Sequence, residues 1–232
     1  MIYIREKSQR GYADHGWLQT HHSFSFADYY DPNFMGFSVL RVINEDTVKS
    51  GEGFGTHPHK DMEILTYVMA GTVEHKDSMG NIERVPAGEF QVMSAGTGVY
   101  HSEYSVDPDS HAHFYQIWII PEEKGIKPRY EQRKFDVLNG KQLVLSPDAS
   151  DGSLKVYQDM KLWRWALSKG QTETYDNPEK RNIWIQVVKG SIKINDKVAT
   201  TSDGAAIWDE TLFTIEATED SEFLLFDMPT VQ

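Results

Sequence analysis

Two short runs carry side chains whose types and spacing suit a bound metal ion. His57-Pro-His59, followed by Glu63, and His101-Ser-Glu103 each put two ligating groups at positions i and i+2. Along a strand those positions face the same way, so each pair aims its donors at one side of a sheet. Brought together on facing strands, His57, His59, His101 and Glu103 supply three imidazoles and one carboxylate to a single point. That donor set suits a borderline divalent metal and matches the His-plus-carboxylate sites of non-haem iron, which keep positions open. A lone His-x-His is weak evidence. Here the two pairs flank Gly80, Pro86 and Gly88, the strand–turn–strand punctuation that would fold one pair onto the other.

The other histidines read differently. His111-Ala-His113 repeats the i, i+2 spacing but lacks flanking glycine turns and a nearby carboxylate, so a solvated or supporting role is expected. His21 and His22 are expected to pack or hydrogen-bond at the edge of the first unit. All nine histidines lie in the first half of the chain. Trp163, Trp165 and Trp184 read as core or inter-domain packing.

The elements that must position these residues read as β-structure. Apolar stretches such as Ile64–Met69, Phe90–Met93, Phe114–Ile120, Ile183–Val188 and Phe223–Phe226 are short and rich in β-branched and aromatic residues. Turn signals such as Pro86-Ala-Gly88, Gly96-Thr-Gly98 and Asp203-Gly204 separate them, which predicts an all-β sandwich or barrel with few short helices. The best helical candidate is Arg129–Leu138. A weak internal repeat relates Tyr67-Val-Met-Ala-Gly-Thr-Val73 to Gln186-Val-Val-Lys-Gly-Ser-Ile192. At that offset Asp176 and Pro178 replace His57 and His59, so only the first unit can build an imidazole site. The expected division is a metal-binding unit over 1–125, a connector over 126–145 in which Gln142–Leu145 already starts a strand, and a second unit over 146–232 without metal ligands.

Composition closes other routes. The chain has 232 residues, enough to bury a core without covalent staples. Its 23 basic and 35 acidic side chains leave a formal charge of −12, with no uninterrupted basic run. Direct nucleic-acid or membrane binding is therefore not expected. With no cysteine, thiol nucleophiles, iron–sulfur clusters and Cys-type zinc sites are excluded. The first ten residues show neither a long apolar stretch nor a small-residue cleavage site, and a cytoplasmic location is the expectation.

Several runs resemble the pirin family of the cupin superfamily: His21-His-Ser-Phe-Ser-Phe26, Phe37-Ser-Val-Leu-Arg-Val42, Gly53-Phe-Gly-Thr-His-Pro-His59, His75-Lys-Asp-Ser-Met-Gly-Asn81 and Ser94-Ala-Gly-Thr-Gly-Val-Tyr-His-Ser-Glu103. The likeness is dense over roughly 5–120, and the remainder is similar to the metal-free second cupin of bacterial pirins with quercetin 2,3-dioxygenase activity. It implies a bicupin of two jelly-roll barrels, with His57, His59, His101 and Glu103 as ligands. Two positions depart from a general cupin. Glu63 falls one residue early for the longer ligand spacing, and Gln91 stands where a second-motif histidine would be. Glu63 is left either as a group orienting an imidazole or as a surface carboxylate; Glu63, Gln91 and Met93 are the candidates for the substrate pocket, and one of Gln91 and Met93 is expected to line it.

The resemblance also implies an activity: dioxygenation of a flavonol taken up through its 3-hydroxyl, with O2 as co-substrate and carbon monoxide released. Glu103 would serve as both ligand and proton acceptor. Iron(II) is the first expectation for the metal, with copper, nickel, zinc and manganese also suited to the donors. Two other readings stay open. One is a non-catalytic, redox-sensing partner of other proteins, and the other is a metal-dependent enzyme acting on another small oxygenated aromatic.

Overall fold

Antiparallel pairing of these short segments builds two sandwiches that share a face. The structure, a computed structural model, describes residues 1–136 and 139–230. The first strands are β1 (Ile2–Arg5), β2 (Gly11–Asp14), β3 (Leu18–His22), β4 (Leu40–Val48), β5 (Gly53–His59) and β6 (Glu63–Ala70). They are followed by β7 (Thr72–Asp77), β8 (Ile82–Pro86), β9 (Glu89–Ser94), β10 (Val99–Ser105) and β11 (Ala112–Ile119). Then come β12 (Arg129–Lys134), β13 (Gly140–Ser146), β14 (Leu154–Lys155), β15 (Lys161–Leu167), β16 (Thr172–Asp176) and β17 (Asn182–Lys189). The last are β18 (Ser191–Ile194), β19 (Lys197–Thr200), β20 (Gly204–Ile207), β21 (Leu212–Ala217) and β22 (Ser221–Met228). The helical segments among the described residues are two three-residue 3-10 turns, Lys7–Gln9 and Ser150–Gly152. None of them is long and apolar enough to cross a membrane.

The repeat governs the whole topology. One sandwich pairs a seven-stranded sheet, β12-β9-β6-β11-β4-β3-β2, with a four-stranded sheet, β5-β10-β7-β8. The other pairs β1-β20-β17-β22-β15-β13-β14 with β16-β21-β18-β19, which repeats the small sheet and the central strands β9-β6-β11-β4 eleven elements later and departs at the two ends of the large sheet. The chain is thus the all-β bicupin that the sequence predicts. Gly71 and Gly190 make the equivalent turns, with φ of 70° and 85°. A Cβ at either would also press on a carbonyl oxygen, that of His111 or of Asp220, so glycine is required twice over.

The large sheets are buried on both faces, which explains their nearly continuous apolar strands. On β11, Phe114 points into its own sandwich while Tyr115, Ile117 and Ile119 point at the other unit. On β17, Ile183, Ile185 and Val187 face inward while Trp184 faces across. A shared core between the two large sheets, with Phe24, Leu65, Trp184 and Phe226 in it, joins the units.

Two segments cut across the division drawn at 125 and 146. β1 leads the first unit yet pairs with β20 of the second, Ile2 against Ile207 and Ile4 against Ala205. β12 leads the second unit yet pairs with β9 of the first, from Arg129 against Ser94 to Lys134 against Glu89. Each unit lends its leading strand to the other, and residues 126–145 carry β12 and most of β13 rather than a passive connector. The helix expected over Arg129–Leu138 is therefore corrected to a strand over Arg129–Lys134, with residues 137–138 outside those described. The segment carries no apolar periodicity of its own, and the open edge of β9 supplies the hydrogen bonds that decide its conformation. Gln142–Leu145 lies in β13 as expected.

Candidate metal centre

β10 is the middle strand of the site. On one side it pairs with β5, placing His101 opposite His57 and Val99 opposite His59. On the other it pairs with β7, placing Glu103 opposite His75 and His101 opposite Asp77. Opposed residues in an antiparallel pair share a face, so all the alternating polar side chains of three strands point into the sandwich. The β5 register slips by one residue between His101 and Glu103, with Gly55 and Thr56 in the slip.

The three imidazoles form a tight triangle. Ring centroids are 4.8 Å apart for His57 and His59, 4.5 Å for His57 and His101, and 4.9 Å for His59 and His101. One nitrogen from each lies within 4.8 Å of the others. The Gly55 carbonyl can only accept, so its 2.8 Å contact puts a proton on His57 Nδ1, which in the neutral ring leaves Nε2 bare. Burial pushes His59 and His101 down to about 4, so both rings are neutral at neutral pH. His101 Nε2 is buried with no hydrogen-bond partner among the described residues. A buried orphan lone pair beside two further imidazoles is what a transition metal requires, and the residues fit one.

Glu103 completes the set from below. Its Oε1 accepts from Gln91 Nε2 at 2.7 Å and from the Thr66 hydroxyl at 3.3 Å. Its Oε2 accepts from Gln116 Nε2 at 2.7 Å and keeps a lone pair. An ionised carboxylate only accepts, which fixes the Gln91 amide with its nitrogen toward Glu103 and its oxygen 2.9 Å from the Tyr130 hydroxyl. Burial opposes the charge, yet the neighbouring His101 and His75 rings and the Gln116 amide hold the carboxyl below its ordinary value. Donor atoms of Glu103, His101 and His75 also lie within 4.8 Å of one another. Both nitrogens of His75 are already engaged, Nε2 with Asp77 at 3.0 Å and Nδ1 with His101 Nδ1 at 3.4 Å.

A cavity of about 70 Å³ opens over these groups, with Phe26, Phe54 and Trp118 among its walls. Asp46, Asn44 and Gln116 also line it. Asp46 Oδ1, Gln116 Oε1 and Trp118 Nε1 are buried there without partners among the described residues. Burial pushes the Asp46 carboxyl up to about 7.

Of the positions singled out from the sequence, His57, His59, His101 and Glu103 converge. Glu63, Gln91 and Met93 are not among the residues lining the cavity. Glu63 is buried rather than superficial, and its Oε2 accepts from the Ser94 hydroxyl at 2.9 Å and the Tyr157 amide at 3.4 Å, not from an imidazole. Gln91 lies behind Glu103, and Met93 packs with Ile64 and Val99. His113 engages Glu45 at 3.1 Å, and His111 accepts from the Ser50 amide. His22 meets Asn44 at 2.7 Å. Sequence reasoning passed over His75, Asp77, Asp46 and Gln116. For the first two a signal existed, since His75-Lys-Asp77 is a third i, i+2 pair.

Residues 3–119 match the profile of the family described as pirin, and residues 143–228 that of the quercetinase C-terminal cupin domain. Among curated proteins, the quercetin 2,3-dioxygenase of Escherichia coli (strain K12) is 66% identical over 231 residues, covering 100% of both chains. Among solved structures, the bacterial pirin YhhW from Escherichia coli in complex with nickel(II) superposes with a TM-score of 0.97 at 65% identity, covering 100% of each chain. A quercetin 2,3-dioxygenase from Acinetobacter baumannii shares the fold at 22% identity, with a TM-score of 0.78 over 98% of this chain and 86% of that one.

Proposed function

The chain belongs to the pirin family of metal-binding cupins, and from that membership we propose that it is a dioxygenase that opens the heterocyclic ring of a flavonol. The observation that carries the proposal is Glu103: a buried carboxylate, oriented by two glutamine amides, beside three clustered imidazoles at the floor of a cavity. A divalent transition metal would be held by His57, His59, His101 and Glu103. Iron(II) is the first expectation, and the nickel(II) complex of the 65%-identical YhhW supports nickel as well. Such a metal supplies Lewis acidity and a template that holds the substrate oxygen.

The chain's own residues would do the rest. Glu103 Oε2 is the atom placed to take the substrate hydroxyl proton, on the one remaining lone pair that it would otherwise offer the metal. The unpartnered oxygens of Asp46 and Gln116 offer acceptors for further hydroxyls, and the unpartnered Trp118 Nε1 offers a donor. A polyhydroxylated aromatic satisfies both kinds of orphan at once. O2 is the oxidant; both its atoms enter the ring-opened product and one ring carbon leaves as carbon monoxide.

The enclosed volume, about 70 Å³, is far below the roughly 300–1,000 Å³ that buries a drug-sized ligand. A flavonol would therefore present only its oxygen-bearing edge to Glu103, with the remaining rings in the cavity mouth. The same volume favours, as a second reading, a single-ring oxygenated aromatic.

The test is anaerobic reconstitution with iron(II) or nickel(II), followed by quercetin turnover with flavonol absorbance, O2 uptake and carbon monoxide read together. Carbon monoxide release that depends on metal and vanishes in His101→Ala is the expected result. Stoichiometric metal uptake with no flavonol consumption by either ion overturns the flavonol reading, and parallel assays with single-ring catechols then decide the second.

A further inference from the structure

His75 and Asp77 lie behind the candidate ligands, and their hydrogen bonds run in one direction only. Asp77 Oδ1 accepts from the Met79 and Asn81 amides at 2.9 and 3.1 Å, and Oδ2 accepts from the Asn81 side chain at 2.8 Å. The same Oδ2 lies 3.0 Å from His75 Nε2, with both side chains wholly buried. An ionised carboxylate only accepts, so His75 Nε2 carries a proton and, in the neutral ring, Nδ1 does not. His75 Nδ1 then accepts, and its partner at 3.4 Å, His101 Nδ1, must donate. A neutral His101 protonated on Nδ1 has a bare Nε2, and that is the buried nitrogen with no partner among the described residues.

We infer that Asp77 and His75 form a relay that sets the tautomer of His101, holding its Nε2 unprotonated and aimed at the metal position. Neither residue is a ligand; both are positioning residues. The inference rests on the metal reading above only for its purpose. The order of the hydrogen bonds stands on the donors and acceptors themselves. Tyr130 supports the arrangement from the other side, its ring stacked on His75 with centroids 4.5 Å apart and 26° between planes. Ligating histidines elsewhere are oriented by a carboxylate or carbonyl on the far nitrogen. In this chain a second imidazole is interposed, which makes the effect on His101 reversible by one atom.

Asp77→Asn is that one-atom change. The two backbone amides on Oδ1 keep the amide oxygen in that place, so the new NH2 takes the position of Oδ2 and faces His75 Nε2; the Asn81 amide can turn its oxygen to meet it. His75 Nε2 must then accept, Nδ1 must carry the proton and donate to His101 Nδ1, and His101 is left protonated on Nε2, the wrong form for a ligand. A residue that merely anchors the turn after β7 would not produce this inversion.

The experiment has two readouts on the full chain. Nitrogen-15 correlation spectra of the imidazoles in metal-free protein, at a pH where both rings are neutral, report which nitrogen of His75 and His101 is protonated. Titration calorimetry with nickel(II) or zinc(II) reports affinity. The expected wild-type pattern is a proton on His75 Nε2 and on His101 Nδ1. Asp77→Asn should invert both and weaken metal binding about 10–100-fold, the usual scale for a partner behind a ligand. His75→Phe, which keeps a ring against Tyr130 but removes the acceptor, should weaken metal binding to a similar degree with His101 no longer held in one tautomer. A wild-type His101 protonated on Nε2, or tautomers unchanged in Asp77→Asn, overturns the relay. Expected tautomers in a wild-type protein that takes up neither ion would support the relay and overturn the metal reading instead.

Discussion

Gln116 Nε2 donates to Glu103 Oε2 at 2.7 Å, and with the Gln91 and Thr66 donors to Oε1 this bond ties the two sheets of the first sandwich together at the site. Gln116 belongs to β11 in the large sheet and Glu103 to β10 in the small one. Removing the amide leaves a buried carboxylate oxygen without its donor, and a hydrogen bond to a charged group is worth about 1.5–3 kcal/mol. Gln116→Leu, of similar volume, should therefore lower stability by about 2 kcal/mol at neutral pH, read by urea unfolding. It should also weaken metal binding, because Glu103 loses the contact that orients it. Unchanged stability would mean that Glu103 takes up a proton or a water in place of the amide.

His57 differs from His101 in burial, and that separates stability from metal binding. It is half-buried on β5, tied to its own strand through the Gly55 carbonyl, while His101 is 2% exposed. His57→Ala should leave the metal-free protein within about 0.5 kcal/mol of wild type, as for most changes away from the core. Metal should stabilise the wild type by mass action, about 2.7 kcal/mol at a hundredfold excess over Kd. Melting curves with and without nickel(II) check both statements: the ion should raise the wild-type Tm and not that of the variant. An equal rise in both would remove His57 from the ligand set.

The candidate ligands were legible because a strand's period of two is written into the sequence: His57 and His59, or His101 and Glu103, share a face whatever the rest of the chain does. What pairs with what is not written locally. His75-Lys-Asp77 has the same spacing, but its relation to His101 exists only through the β7–β10 register. Gln91 and Met93 do share a face of β9, yet the cavity lies beyond Glu103, a layer away from both. Arg129–Lys134 shows the same limit at the level of an element. Its polar run suits several conformations, and the partner edge of β9, distant in sequence, makes it a strand.

Trp184 bears on whether the two units unfold together. Its ring is 1% exposed and packs between Phe24 and Phe37 of the first unit, at 5.0 and 5.9 Å. Truncating a buried aromatic costs about 3–5 kcal/mol. Trp184→Ala should lose that much, and because β1 and β12 are exchanged between the units, calorimetry should still show one transition at lower temperature. Two resolved transitions would mean that the shared core, rather than the exchanged strands, couples the units.

Glu63 makes stability depend on pH with a definite sign. Burial pushes its carboxyl from an ordinary 4.5 up to about 7, against the Ser94 and Tyr157 donors that work the other way. Below pH 4.5 the folded and unfolded chains both hold the proton, and Glu63 costs nothing. Between 4.5 and about 7 the unfolded chain releases it while the folded chain keeps it, so the folded state binds more protons and stability falls as pH rises. Above 7 the loss is complete, at about 3 kcal/mol. Glu63→Gln retains an acceptor for Ser94 and Tyr157 and cannot ionise. Urea unfolding of both proteins at pH 5, 6, 7 and 8 should show the variant gaining on the wild type across that range, approaching about 3 kcal/mol. Other buried acids, Asp46 among them, are common to both proteins and cancel in the difference. A constant difference across the series would mean that Glu63 is already ionised in the folded protein, with the Arg129 guanidinium holding its charge.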